Sequence, residues 1–284
     1  MTGAPGRAAA AAVIRDVRAG AGDRLELLAA RPPAPGFAHP LLFLHGAFAG
    51  AWCWAEHFLP FFAGRGFDCY ALSFRGHAAS RGRDQLMLAS VDDYVEDVFE
   101  AVHRIGRTPV LVGHSMGGFV AQKYLEDAAA PAAVLMAPVP PQGLLGAQLK
   151  LAFQNPTLFA ELNDVLAHGR GSPEALRKAL FAGAVAPAKL AEWFRRTQPE
   201  SQRAIWDMTL FALPQLWRMN RTPALWLAAE RDALFPVEQL RLGAGMVGAT
   251  LEVIPGLGHA MMLDVGWEAA AERIAAWLEK PAGG

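Results

Sequence analysis

The sequence predicts an α/β fold in which a mostly parallel, eight-stranded sheet is flanked by helices and carries an inserted helical cap. Three observations lead to this class. Short apolar runs typical of strands alternate with helix-like patterns, as in a parallel sheet covered on both faces. The alternation stops between about residues 139 and 220. Finally, 53% of the 284 residues are hydrophobic and 19% are charged, which provides enough apolar material for a sizeable core.

Eight strands are predicted from short runs rich in apolar residues. The run "PLLFLHG" is continuously apolar up to its histidine, as expected of a strand buried on both faces. The eight runs span residues 12–17, 24–30, 40–46, 67–74, 108–114, 132–138, 222–232 and 250–255. Helix-like patterns separate most of them. The clearest begins after Ser90, where Asp93 completes a capping box and the following apolar residues share one helical face.

The interval from residue 139 to 220 contains no strand-like run. It consists of helical pieces interrupted by prolines, among them Pro156, Pro173, Pro187, Pro199 and Pro214. We interpret this interval as a helical cap over one end of the sheet. The predicted core domain therefore comprises residues 1–138 and 221–284, and the predicted cap comprises residues 139–220.

Composition and charge exclude several classes of partner. The formal net charge is −1 and no basic stripe is present, so nucleic acid is not an expected partner. No apolar segment reaches the roughly 18 residues needed to span a bilayer. The N-terminal alanine run is followed at once by Arg15 and Asp16, so neither a signal peptide nor stable membrane anchoring is expected. Cys53 and Cys69 lie in apolar surroundings, which predicts buried free thiols and a cytoplasmic protein.

Ser115 is the candidate nucleophile. It lies in "PVLVGHSMGGFV", between a predicted strand and a predicted helix, with Gly113 and Gly117 on either side. A sharp strand-to-helix turn needs small residues at these positions because backbone and neighbouring side chains come close there. The turn raises the serine hydroxyl above the sheet edge, and the following helix offers N–H groups to a developing negative charge. A Gly/Ser loop is the alternative interpretation.

A serine hydroxyl needs a base, and the base needs an acid that orients it. His259 fits the base best, because it follows a strand and a Gly-rich loop in "LEVIPGLGHAMMLD". Asp232, at the end of "ALWLAAERD", is the preferred acid, with Glu230 as the nearest competitor and Asp264 as an outside possibility. The order Ser, Asp, His along the chain is that of the α/β-hydrolases.

The oxyanion formed on the substrate needs two N–H donors. One is expected from Met116, the residue after the candidate nucleophile. The second is expected from the loop after the third strand, "LFLHGAFAGAWCW", where Ala47 is the preferred donor and Phe48 the alternative.

The motifs "HGAFAGAWCW" and "GHSMGG" resemble those of the α/β-hydrolase superfamily, over about residues 12 to 279. They are similar to those of capped serine esterases and of enzymes like lysophospholipases and monoacylglycerol lipases. The resemblance implies the α/β-hydrolase fold and hydrolysis of ester bonds. One segment departs from the family: in "LSFRGHAAS", Ser73 stands where an aspartate is expected and Ala78 where a glycine is common. No metal cluster, phosphate loop or dinucleotide fingerprint is present, so no metal or cofactor is expected.

Bulky apolar residues predict a hydrophobic substrate pocket above Ser115. The candidate lining residues are Phe48, Phe153, Phe159, Trp193, Trp206 and Met261. A small hydrophobic ester with an acyl chain or an aromatic group is the expected partner. Thioesters, lactones and carbon–carbon bonds are alternative substrates of the same triad. A ligand-binding receptor on the same scaffold is disfavoured by the complete triad. A lyase that uses the triad only for proton transfer is a further, less favoured alternative, and the sequence does not indicate the oligomeric state.

Overall fold

The computed structural model describes residues 13–15, 24–168, 173–219 and 222–280. Eight strands form one sheet in the order β1-β2-β4-β3-β5-β6-β7-β8. The strands are β1 (Val13–Arg15), β2 (Leu27–Ala30), β3 (Leu41–Leu44), β4 (Cys69–Leu72), β5 (Val110–His114), β6 (Ala133–Met136), β7 (Ala224–Ala229) and β8 (Thr250–Ile254).

The sheet is parallel except at β2, which pairs antiparallel with both β1 and β4. The strands from β4 through β3 to β8 all run in one direction. Every residue of β3, β5 and β6 is buried, because helices cover both faces of the sheet. The predicted α/β fold with a mostly parallel sheet is confirmed.

Alternate residues of the central strands point to two separate hydrophobic cores. In β3, Leu41 and Phe43 belong to one core, and Leu42 and Leu44 belong to the other. The first core contains residues of α1 (Trp52–Ala55), α2 (Phe58–Gly64) and α11 (Trp267–Leu278). The second contains residues of α3 (Val91–Ile105), α4 (Met116–Asp127) and α10 (Val237–Val247). The period of two along each strand therefore divides the helices between the two faces.

Helix α3 begins where the sequence predicts. The Asp93 N–H donates to Ser90 Oγ over 3.1 Å, and the Ser90 N–H donates to Asp93 Oδ2 over 2.8 Å. This reciprocal pair satisfies two N–H groups that have no partner within the helix, so it sets the start of α3.

Five helices lie between β6 and β7, and no strand interrupts the described part of this interval. They are α5 (Leu145–Gln154), α6 (Pro156–His168), α7 (Pro173–Leu180), α8 (Pro187–Arg196) and α9 (Gln202–Trp206). A π-helical turn, Asp207–Phe211, follows α9. We call this helical interval the cap; its division from the core at residues 138 and 221 stays a prediction.

Both cysteines, Cys53 and Cys69, are buried and free, as the sequence predicts. Within the described residues, the structure contains no helix with the length and apolar character that a membrane span requires. The first twelve residues and residues 16–23, which include the alanine run and Asp16, lie outside the described part of the chain.

Candidate active site

Four candidate site segments meet because each follows the carboxyl end of a parallel strand. The loop after β3 carries Ala47, β5 leads into Ser115, and the loops after β7 and β8 carry Asp232 and His259. Connections leave β3 and β5 toward opposite edges of the sheet, and ligands of open α/β sheets bind at such a point. The topology therefore brings together residues that are far apart in the sequence.

Ser115 occupies a strained turn between β5 and α4. Its φ is +51° and its ψ is −116°, a backbone conformation that L-residues rarely adopt. The two flanking glycines make the turn possible. A Cβ on Gly113 would lie 2.5 Å from the carbonyl oxygen of Gly117, and a Cβ on Gly117 would lie 2.6 Å from that of His45. The strain and the absence of space for flanking side chains are typical of a nucleophile elbow.

His259 and Asp232 form a buried hydrogen-bonded pair. His259 Nδ1 lies 2.8 Å from Asp232 Oδ2. Because a carboxylate only accepts, Nδ1 carries the proton and Nε2 is left with its lone pair. The other oxygen of Asp232 accepts N–H bonds from Leu234 and Phe235 at 2.8 and 2.9 Å, so the carboxylate is fixed from both sides. This arrangement selects the tautomer that a general base requires.

The two alternative acids have other partners. Glu230 accepts the N–H of Gly256 at 2.8 Å on the exposed side of the sheet edge. Asp264 is buried and accepts N–H bonds from the loop after β8, which carries His259, and from the cap. We call the loop after β8 the base loop. Only Asp232 of the three candidates contacts the His259 ring.

The two candidate oxyanion donors line one cavity with Ser115. Met116 is the first residue of α4, where a backbone N–H has no acceptor within the helix. On the loop after β3, a Cβ on Gly46 would lie 3.1 Å from Ser115 Cβ, so this backbone passes directly beside the serine. The Phe48 N–H donates to Glu200 Oε2 over 3.2 Å. Of the two alternatives in this loop, Ala47 is therefore the better candidate.

Two further histidines surround the site in neutral form. His45 Nδ1 donates to the carbonyl of Gly46 and its Nε2 accepts the N–H of Phe74, and burial lowers the pKa of His45 to about 3. His114 Nε2 donates to the carbonyl of His259 over 2.9 Å, and burial together with the neighbouring His259 holds the pKa of His114 well below its ordinary value. This hydrogen bond connects the loop that carries His259 to the end of β5, next to Ser115.

A cavity of about 340 Å³ lies between the cap and the sheet edge, and both Ser115 and His259 open onto it. None of its described lining residues is Asp, Glu, Lys or Arg. The apolar lining residues contributed by the cap are Val139, Leu144, Ala147, Leu151, Phe159, Leu162, Leu176, Leu180, Phe181, Trp193, Phe194, Pro199, Ile205 and Met208. Cys53 also reaches the cavity, and burial raises the pKa of its thiol above the ordinary range.

The structure separates the six residues expected to line the pocket into two groups. Phe48, Phe159 and Trp193 are on the cavity wall. The other three are not, and for them the expectation is wrong. Phe153 is 86% exposed and Trp206 is 57% exposed, because both lie on outward faces of cap helices. Met261 is fully buried in the core, and its neighbour Met262 lines the cavity instead.

Sequence reasoning missed two buried polar residues beside the site. Glu200, in the cap, accepts from His77 Nε2 over 3.0 Å and from Tyr94 Oη over 2.7 Å. His77 belongs to the "RGHAAS" segment, so the family motif offers a signal for it. Glu200 lies in a Pro- and Ser-flanked loop, and no pattern in the sequence marks it.

The unusual Ser73 is accommodated by a carboxylate from a neighbouring segment. Its Oγ donates to Glu26 Oε2 over 2.7 Å and accepts the N–H of Ala51 over 2.9 Å. Glu26 directly precedes β2, which pairs with β4. A carboxylate is thus present near this position although residue 73 is not aspartate.

A scan against family models places the chain within a known class. The model of the alpha/beta hydrolase family matches residues 41–277. The protein therefore belongs to the alpha/beta hydrolase family. No curated protein matches the sequence.

In the described residues, no group of three His, Cys, Asp or Glu side chains is arranged to hold a metal ion.

Solved structures of similar fold have low sequence identity. A bromoperoxidase from Bacillus anthracis has a TM-score of 0.71 at 18% identity, covering 95% of this chain and 100% of that one. An esterase from Exiguobacterium antarcticum has a TM-score of 0.68 at 18% identity, covering 91% and 100%. A monoacylglycerol lipase from Paleococcus ferrophilus has a TM-score of 0.65 at 21% identity, covering 89% and 98%. At such identities the similarity shows the fold alone.

Proposed function

We propose that the protein is a cofactor-independent serine hydrolase that cleaves carboxylic esters of a small, neutral, hydrophobic substrate. The observation that carries this proposal is the 2.8 Å hydrogen bond between His259 Nδ1 and Asp232, beside a strained serine that opens onto the same cavity. A fixed tautomer, an exposed hydroxyl and backbone donors are the three parts that acyl transfer requires.

In the proposed mechanism Ser115 Oγ attacks the carbonyl carbon of the ester while His259 Nε2 takes the hydroxyl proton. The oxyanion of the tetrahedral intermediate accepts hydrogen bonds from the N–H groups of Ala47 and Met116. The carbon–oxygen bond to the alcohol then breaks, and His259 returns the proton to the leaving oxygen. Water, deprotonated by His259, attacks the carbonyl carbon of the resulting acyl-enzyme. The bond from this carbon to Ser115 Oγ then breaks, His259 returns the proton to Oγ, and the acid is released. Asp232 stabilises the imidazolium at each stage.

The cavity supports a substrate without charge. Moving an ionised group into an apolar cavity is costly unless an opposite charge or several hydrogen bonds receive it. The described cavity wall has no acidic or basic side chain besides its histidines, and the polar side chains of its cap portion are Gln148, Asn163, Thr197 and Gln198. The volume of about 340 Å³ is at the lower end of the range of about 300–1,000 Å³ for ligand pockets, which favours a short acyl or aromatic ester.

The similar structures support the ester bond as the target. Two of those described above are an esterase and a monoacylglycerol lipase. A further one, an N-acyl homoserine lactone degrading enzyme, has a TM-score of 0.63 at 20% identity, covering 89% of this chain and 97% of that one. A panel of p-nitrophenyl esters, thioesters and lactones, neutral and charged, therefore separates the alternatives within this fold.

Replacing Ser115 by alanine tests the proposal. Ser115→Ala is expected to lower kcat/KM for neutral p-nitrophenyl esters by about 10⁴-fold or more, because nucleophile and base act as a unit. The wild type is expected to react with a fluorophosphonate probe, and the variant is not. A variant with near wild-type turnover, or a wild type that the probe does not label, would contradict the proposal.

A matched pair of carboxylate variants serves as the control. Asp232→Asn removes the acceptor that holds the His259 tautomer and is expected to lower kcat by about 10⁴-fold. Glu230→Gln, two residues away on the exposed side, is expected to retain kcat within about threefold, since exposed substitutions away from a site are usually mild. Equal losses in both variants would mean that Asp232 has no special role.

A further inference from the structure

One short segment of the cap, Gln198–Ser201, is inserted between two loops of the core. Glu200 is 2% exposed and accepts hydrogen bonds from four groups. Its Oε2 accepts from the Phe48 N–H and from His77 Nε2, and its Oε1 accepts from Tyr94 Oη and from the Ser201 N–H. We call Glu200, Phe48, His77 and Tyr94 the Glu200 cluster. Such a buried carboxylate is tolerated because every oxygen is satisfied.

The cap segment Gln198–Ser201 is hydrogen-bonded to two core residues that have strained backbone conformations. Phe48 has a φ of +65° and Ala78 has a φ of +47°, in the left-handed region that residues with a Cβ rarely occupy. The Phe48 N–H donates to Glu200, and its carbonyl accepts the Gln198 N–H over 3.1 Å. The Ala78 N–H donates to the side-chain oxygen of Gln198 over 2.7 Å. Strain of this kind persists only where the surroundings hold it in place.

The hydrogen bonds of His77 indicate a charged pair with Glu200. His77 Nδ1 lies 3.0 Å from the carbonyl of Arg75, which can only accept, and Nε2 lies 3.0 Å from the Glu200 carboxylate. Both ring nitrogens therefore face acceptors, as the imidazolium form requires. Burial alone would lower the pKa of His77, but the charge and hydrogen bond of Glu200 raise it. A neutral residue at position 200 would lose this pairing.

From this geometry we infer that Glu200 is a positioning residue, which holds the loop of residues 46–48 so that the Ala47 N–H faces the oxyanion. The inference rests on the proposed function. The peptide between Ala47 and Phe48 is fixed by the Phe48 N–H bond to Glu200, and the preceding peptide carries the Ala47 donor. If Glu200 no longer accepts the Phe48 N–H, relaxation of the strained Phe48 turns the donor away from the reacting oxygen. Glu200 touches no substrate, since it is buried behind the loop and is absent from the described cavity wall.

The test compares Glu200→Met, which has no oxygen to accept the Phe48 N–H, with two variants that disturb the structure without reaching the loop. Tyr94→Phe removes one hydrogen bond from Oε1 of the same carboxylate and leaves both contacts of Oε2. Glu126→Gln changes another buried carboxylate, which accepts the Gln215 N–H at 2.8 Å and lies on α4 away from the cavity. Glu200→Asp, which keeps the charge but shortens the side chain by one methylene, is made in parallel.

The expected result is a loss of transition-state stabilisation without a loss of substrate binding. Glu200→Met is expected to lower kcat for a neutral p-nitrophenyl ester by about 10- to 100-fold with KM within about twofold, as for a displaced oxyanion donor. The inhibition constant of phenylboronic acid, which forms a tetrahedral adduct on serine, should rise by a similar factor. Tyr94→Phe and Glu126→Gln should change both quantities by less than about threefold, whatever they do to the melting temperature.

Three outcomes would overturn the inference. These outcomes are an unchanged kcat in Glu200→Met, a change in KM alone, or equal losses in the two control variants. If neither Glu200 variant folds while Glu126→Gln does, Glu200 is a structural residue only. Failure of the proposed function is recognised separately, because it leaves the wild type unlabelled by the fluorophosphonate.

Discussion

Two buried carboxylates join the cap to the carboxyl edge of the sheet, one beside each half of the candidate site. Asp264 belongs to the core and accepts the N–H groups of Ala182 and Gly183 from the cap and of Gly258 from the base loop. Glu200 belongs to the cap and accepts an N–H from the 46–48 loop. We call them the base-side and the oxyanion-side junction.

The junctions differ in what surrounds the carboxylate. The hydrogen bonds to Asp264 all come from backbone N–H groups, with that of Val265 as the fourth. Glu200 has two backbone donors, and its other two are the side chains of His77 and Tyr94. Peptide donors do not titrate, whereas an imidazole does. The fold therefore uses a connection made of backbone donors near the candidate base and a connection with a titratable imidazole near the candidate oxyanion donors.

The largest effect is expected from removing the base-side carboxylate. Asp264→Ala leaves four N–H groups without their acceptor, and each unsatisfied buried donor costs about 1–3 kcal/mol. Because water and relaxation recover part of this, we expect the free energy of unfolding to fall by about 3–5 kcal/mol in urea denaturation. Asp264→Asn, which keeps one accepting oxygen, should lose less. A loss below about 1 kcal/mol in Asp264→Ala would remove the proposed difference between the junctions.

An intermediate effect is expected from separating the cap and the base loop sterically. A Cβ on Gly258 would lie 2.7 Å from the N atom of Ala182 and 2.9 Å from the carbonyl oxygen of Leu180. Gly258→Ala should therefore destabilise the protein by about 1–3 kcal/mol and lower kcat, since the displaced loop carries His259. Gly245→Ala, where nothing lies within 4 Å of the new Cβ, is the matched control and should be neutral or stabilising. Equal stabilities of the two variants would contradict this contact.

The smallest effect is expected from a change of pH, which alters how much the pair of His77 and Glu200 stabilises the oxyanion-side junction. The pKa of His77 is raised, so its contribution to stability is complete below the ordinary value of 6.5 and is lost as the pH rises through the raised pKa. Burial would raise the pKa of Glu200, but His77 and the donated hydrogen bonds lower it, so its contribution is present above the ordinary 4.5 and is lost as the pH falls through the lowered pKa.

The charged pair is therefore most effective between about pH 4.5 and 6.5. The stability difference between wild type and His77→Gln should be greatest there and should shrink toward alkaline pH. The other charged or titratable groups near His77 are Asp97, which also raises its pKa, Arg75, which pairs with Asp97, the Tyr94 phenol, and His45, which is neutral. Urea denaturation from pH 5 to 9 measures the difference, and a pH-independent value would show that the pair is not charged.

The fold and the candidate triad could be predicted because they depend on local pattern. Continuous apolar runs mark buried strands. Ser115 follows such a run directly, and Asp232 and His259 lie in the loops after two others. The ends of the strands were harder to predict. The strand predicted over 222–232 ends at Ala229, because residues 230 and 231 form a turn before Asp232.

The cavity lining and the junctions could not be predicted because they depend on how distant segments pack. Helical spacing gives Phe153 and Trp206 an apolar face but does not say whether that face meets the cavity or solvent. In the loop after β8, the position of one residue decides between Met261 in the core and Met262 at the cavity. Glu200 and its partner Phe48 are separated by 152 positions, and no local signal connects them.

The described wall of the cavity includes both the Ser115 hydroxyl and the Cys53 thiol. Only thiolates react readily with alkylating reagents, and burial keeps Cys53 protonated at neutral pH. Ser115, by contrast, shares the cavity with His259, whose imidazole is hydrogen-bonded to Asp232. Chemical modification should therefore discriminate sharply between them, with organophosphorus reagents abolishing turnover and maleimides leaving it intact.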